Sequence, residues 1–243
     1  SNALLHKRGE ELREGLCHIG DADSFAALTE AALEGDPEAR RTALEILSRT
    51  GAGYLIERLA TEESRSHRSQ LVTLLKGIAR ENPAVILPHL ADDRWFLVRN
   101  LVTILGEIGE PGTMPHLEKL ASHADPKVRR EVIRSLVRLG TPACEKTIVF
   151  ALRDEDSAVQ IAAVTALATL KSKRALDVLM ELARGSQKYE DMPSEVRQEA
   201  ILALGRLGSE ELFPILAGIL SRKAFLGHTE SKEMRVAAAK ALG

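Results

Sequence analysis

One motif, repeated at nearly fixed intervals, constrains this 243-residue chain more than any other feature. Its clearest copy runs from Ala124 to Gly140 and reads ADPKVRREVIRSLVRLG. Asp125 suits a helix N-cap, and Pro126 suits the first helical position, where its missing N–H costs nothing. Val128, Val132, Leu136 and Leu139 then share one helical face, and Gly140 ends the helix. Aligning each copy on the residue equivalent to Val128 places anchors at 8, 39, 67, 97, 128, 159, 196 and 234. The intervals are 31, 28, 30, 31, 31, 37 and 38 residues. A period in this range predicts a solenoid.

A second, shorter apolar helix is expected between consecutive copies. The candidate segments are Ser24–Leu33, Tyr54–Ala60, Ala84–Leu90, Met114–Ala121, Pro142–Leu152, Arg174–Ala183 and Glu211–Leu220. Gly and Pro clusters such as 51–53, 110–112 and 140–142 punctuate them. Each unit is then a helical hairpin that buries its apolar face only by stacking on neighbours. Composition agrees: 44% of residues are hydrophobic but only 3% are aromatic. Small aliphatic side chains suit close helix packing and fit poorly with an aromatic-cored β-sandwich.

The repeats resemble HEAT repeats, of the short bacterial kind similar to those of phycobilisome-lyase-like HEAT proteins. The residues that carry the resemblance are Asp-Pro-Glu-Ala-Arg (36–40), Asp-Pro-Lys-Val-Arg (125–129), Ser-Glu-Val-Arg (194–197) and Lys-Glu-Met-Arg (232–235). It extends over Leu4 to Gly243, while Ser1-Asn2-Ala3 looks like the remnant of a cleaved expression tag. The resemblance implies an all-α, HEAT-type α-solenoid: a right-handed superhelix of about eight units with one continuous core, the first and last units incomplete. It implies that the second helix of each hairpin lines the concave face. It also implies that Asp36, Arg40, Asp125, Arg129, Arg197 and Arg235 tie neighbouring repeats together. Gln160 replaces the arginine in one copy and interrupts such a ladder there.

Catalytic motifs are missing from the sequence. There is no Gly-rich phosphate loop, no His-Glu-x-x-His and no Gly-x-Ser-x-Gly. His116 and His123 read as a surface pair, because no carboxylate or cysteine stands at metal spacing. Cys17 and Cys144 define neither a disulfide framework nor a metal site. HEAT-like scaffolds also include enzymes. Hydroxylases of the deoxyhypusine type use paired His-Glu dipeptides, which this sequence lacks. A DNA glycosylase would need a strongly basic concave face, whereas the formal net charge here is −2. A chromophore lyase would need a tetrapyrrole pocket that nothing in the sequence marks. The expectation is a non-catalytic scaffold without cofactor or metal, binding a protein or peptide rather than nucleic acid, with an accessory module of a larger signalling protein as the other alternative to an enzyme.

Two groups of residues are candidates for that binding. Positions two, six and ten past the anchor project from the second helices and include Arg41, Arg99, Arg130, Arg134, Arg138 and Arg206. They make a partial basic stripe suited to an acidic peptide, or else a solvated face balanced by Glu45, Glu107 and Glu131. Aromatic residues gather near hairpin turns: Trp95, Phe96, Tyr189 and Phe225. They mark either a binding edge or local packing under the loops. No apolar run approaches the ~18 residues that span a bilayer, and no signal peptide is visible, so a cytoplasmic protein is expected. The unpaired first helix and the apolar Ala237, Ala238, Ala241 and Leu242 suggest an array that continues beyond one or both ends, monomeric apart from contacts through those ends.

Overall fold

The structure, a computed structural model, describes residues 22–34, 37–47, 51–208, 213–221 and 230–242. The repeat anchored at residue 8, Cys17, Asp36, Phe225 and the Arg40 side chain lie outside the described residues. Among those described, the regular elements are α-helices and short 3-10 turns, without a strand. The chain divides into two compact units, Ser1–Ile108 and Gly109–Gly243.

The first unit contains α1 (Ala22–Glu34), α2 (Pro37–Ile46), α3 (Ala52–Thr61), α4 (Arg65–Glu81) and α5 (Trp95–Ile108). α1 packs on α2 and α3, and α4 packs on α3 and α5. Leu55, Ile56, Leu75, Leu97, Leu101 and Ile104 are fully buried among them. The expected helix over 84–90 is instead two 3-10 turns, Pro83–Val85 and Leu87–Ala91. Pro88 explains this. It has no amide to donate to the carbonyl of Ala84, and its ring collides with that carbonyl in an α-helix.

The second unit contains α6 (Met114–Leu120), α7 (Pro126–Leu139), α8 (Cys144–Phe150), α9 (Ser157–Leu170), α10 (Lys173–Arg184), α11 (Ser194–Leu207), α12 (Phe213–Ser221) and α13 (Lys232–Leu242). It has two layers. α7, α9, α11 and α13 each pack on the next, while α8, α10 and α12 do the same in the other layer. The anchors Val128, Val159 and Val196 are buried, as is Met234. α11 and α13 approach closely at Gly205, where an added Cβ would stand 2.4 Å from the Ala241 Cβ.

Caps decide the ends of these helices. Asp125 Oδ1 accepts the Lys127 amide at 2.7 Å, and Asp156 Oδ1 accepts the amides of Ala158 and Val159. Gly140 leaves α7 in the left-handed region with φ 64°. Lys171 occupies the equivalent position after α9 with φ 52°, a conformation that crowds its Cβ.

Candidate functional site

Arginines on this scaffold fall into two kinds, those consumed by the fold and those left to a surface. Arg129 is of the first kind, with only 8% of its side chain exposed. Its Nε and Nη2 donate to the two Asp154 carboxylate oxygens at 2.8 and 2.7 Å, joining α7 to the turn before α9. Its Nη1 donates to the carbonyls of His123 and Ala124 at 2.8 and 3.0 Å. The Asp154 carboxylate holds the guanidinium above its ordinary pKa. Arg197 repeats the device two hairpins further on. It donates to the Ala183 carbonyl and, at 2.8 and 2.7 Å, to the carboxylate of Glu230. Gln160 stands at the same position in the intervening repeat. Its Nε2 donates to the Asp154 carbonyl at 2.8 Å, while its buried Oε1 has no hydrogen-bond partner.

The acids in these pairs are not the motif aspartate. Asp125 serves as the cap of α7, and Arg129 grips Asp154 instead. Arg235 is exposed on α13. In the first unit Arg94 plays a related part, bridging Asp92 at 2.6 Å and Glu57 at 2.8 Å. Hydrogen bonds from Arg94 hold the Asp92 carboxyl at about 2.

The second kind gathers between α7 and α9. A groove of about 420 Å³ runs there, with Arg130, Arg134 and Arg138 on the α7 wall. Ile161, Ala162 and Thr165 are on the α9 wall. Spacing four apart on one helix stacks the three guanidinium stems along one side. Two of them share a nearby carboxylate. Glu131 is reached by Arg134 Nη1 and Arg138 Nη1, both at the long distance of 3.4 Å. Arg130 Nε is buried and makes no hydrogen bond. Across the groove, the Thr165 hydroxyl is already committed, donating to the Ile161 carbonyl at 3.0 Å. The wall facing the arginines is therefore small and mostly apolar.

The other candidate residues lie elsewhere. Trp95, Phe96 and Arg99 form a cluster in the first unit. The two rings meet edge to face at 6.0 Å, and the Arg99 guanidinium sits 5.6 Å from the Trp95 ring centre. Arg41 is exposed on α2. Arg206 is occupied by Glu199. Tyr189 is only 8% exposed and has Lys188 Nζ 5.0 Å from its ring centre. Sequence reasoning missed Phe150, at the end of α8, whose side chain is 69% exposed. It stands in an apolar run, TIVFAL, that reads as core, and only its helical phase distinguishes it from buried Ile148.

Among the described residues no group of three or more His, Cys, Asp and Glu side chains could hold a metal ion. His123 Nδ1 accepts the Asp125 amide at 3.0 Å. Cys144 is buried, and that burial pushes its thiol pKa up, away from a reactive thiolate.

Residues 114–191 match the family model for HEAT repeats. That segment carries HEAT repeats. The matched segment includes α6 to α10 and so contains both walls of the arginine groove. With its helices and stacked hairpins, the fold is all-α and of the HEAT type. No functionally curated protein matches the sequence. Solved structures similar to this chain include the CpcE and CpcF complex of phycocyanin lyase from Nostoc sp. PCC7120, at 18% identity and a TM-score of 0.41. That likeness covers 93% of this chain and 89% of the other. A designed armadillo repeat protein in complex with the peptide (KR)4 is 16% identical with a TM-score of 0.45, covering 89% and 97% of the two chains. Human deoxyhypusine hydroxylase in complex with glycerol is 18% identical with a TM-score of 0.38, covering 82% and 86%. None of these likenesses says what this chain binds. No described helix is long and apolar enough to cross a membrane.

Proposed function

We propose that this HEAT-repeat chain is a non-catalytic scaffold that binds a protein or peptide, and that the α7–α9 groove receives an acidic segment of it. The observation that carries this reading is Arg130. Its Nε is buried without a hydrogen-bond acceptor, in a groove whose other two guanidiniums, Arg134 and Arg138, share the Glu131 carboxylate at 3.4 Å. An unpaired buried donor on a cation is costly, and an incoming carboxylate removes that cost. The small apolar wall of α9 leaves room for a peptide backbone to lie alongside.

The test is a titration with a short fluorescein-labelled peptide that alternates Glu with small residues. The wild-type chain should bind it, with affinity falling steeply as NaCl is raised. Arg130→Gln with Arg134→Gln should weaken binding by about tenfold or more, roughly 1.4 kcal/mol or above. Arg138 is kept in that variant so that Glu131 retains a counter-ion, and the circular dichroism spectrum should be unchanged. A peptide that fails to bind, or binds the double variant equally well, contradicts the proposal.

A further inference from the structure

The second unit carries another groove, of about 570 Å³, along the edge where α8 meets the turns before α7 and α11. Phe150 stands in it as the most exposed of the large hydrophobic side chains. Val149, Leu152 and Tyr189 line the same groove. Four cations surround it: Lys146, Arg153, Arg174 and Lys188. The one carboxylate in the lining is Glu118, which already accepts a hydrogen bond from the Thr147 hydroxyl at 3.0 Å. Arg174 and Lys188 have only loose partners outside the groove, Glu145 at 3.6 Å and Glu181 at 3.3 Å. Lys146 and Arg153 are exposed and have no ion-pair partner among the described residues.

We infer that this groove is a second docking site, for an acidic peptide segment that carries a central aromatic anchor. The groove and such a segment are complementary in charge and shape. An exposed phenylalanine beside a buried tyrosine offers an edge-to-face or offset surface to one aromatic side chain. The ring of cations around it favours carboxylates flanking that anchor, and steers them in from solvent. Single-stranded nucleic acid would find the charge but only one exposed ring, where successive bases need several stacking platforms. The site uses none of the α7–α9 groove residues, so it stands or falls separately from the function proposed for that groove.

Two fluorescein-labelled peptides test it, both rich in Glu and Asp, one with a central Phe and one with Ser in its place. The wild-type chain should bind the Phe peptide about tenfold more tightly than the Ser peptide. Phe150→Ala should erase that difference, because the ring is exposed and its loss leaves the core intact. Lys146→Gln with Arg153→Gln should weaken both peptides without erasing the preference for Phe. Arg130→Gln with Arg134→Gln should leave the preference untouched, which separates the two grooves. An unchanged preference in Phe150→Ala overturns the inference, as does the absence of any preference in the wild type. Tighter binding of an oligothymidine of equal charge, insensitive to Phe150→Ala, also overturns it.

Discussion

Two arginines on one helix, Arg129 and Arg134, show how far neighbours can differ in what they do. Arg129 is almost wholly enclosed and makes five hydrogen bonds to protein oxygens. Arg134 has 54% of its side chain exposed and touches Glu131 at 3.4 Å. Arg129→Ala leaves the Asp154 carboxylate buried without its cation and should cost about 3–5 kcal/mol. Arg134→Ala should cost less than ~1 kcal/mol. Urea melts of the two variants check this, and equal losses would refute the division of arginines. The motif made the position of Arg129 legible, since every complete copy places a polar side chain or a valine just after the anchor. Its partner was not legible, because Asp154 lies in a turn whose path the period does not specify. Charge pairing also makes a pH-dependent contribution in the first unit. Arg94 lowers the Asp92 carboxyl from its ordinary 3.8 to about 2 in the folded chain. A depressed folded pKa contributes stability above the unfolded value, and that contribution is lost as pH falls towards the folded one. The stability difference between wild type and Asp92→Asn should therefore be full above about pH 4 and shrink between about pH 4 and 2. A difference that stays constant across that range would refute the Asp92–Arg94 assignment.

At the scale of the elements, caps and prolines account for most of what the periodicity leaves open. α7 and α9 have the same length and begin with the same aspartate cap. They differ at the exit, where Gly140 ends one and Lys171 the other. The left-handed conformation crowds any Cβ, so Lys171→Gly should stabilise the chain by about 0.5–1 kcal/mol despite the greater freedom of unfolded glycine. Thermal melts give the answer, and a fall in melting temperature would contradict the strain. The helix faces were readable because Val128, Val132 and Leu136 keep a four-residue spacing, and all three are fully buried. The segment 84–90 was misread because hydrophobic spacing alone outweighed Pro88, whose missing donor breaks the α-helix into two turns. Phe150 was hidden for the opposite reason. A short helix of seven residues gives too few turns for the apolar pattern to separate buried from exposed positions.

For the whole molecule, the chain reads as two compact units built on one hairpin scheme, with coupling passed between adjacent repeats. In the second unit the tight pairs Arg129–Asp154 and Arg197–Glu230 fasten successive helices. The arginines that are not fastened then define a surface. The stripe over Arg130, Arg134 and Arg138 was visible in the sequence as a spacing of four, but the unpartnered Arg130 Nε was not. It depends on how α9 lies across the groove from that helix, a tertiary fact. The central claim is that this atom awaits an anionic partner, and the Nε–H signals of the arginines, followed by heteronuclear NMR during addition of the alternating Glu peptide, test it most directly. The Arg130 signal should shift most and saturate with binding, while those of Arg129 and Arg197, already bonded to carboxylates, stay in place. An Arg130 signal that does not move while the peptide binds, or equal shifts at all three, would contradict it.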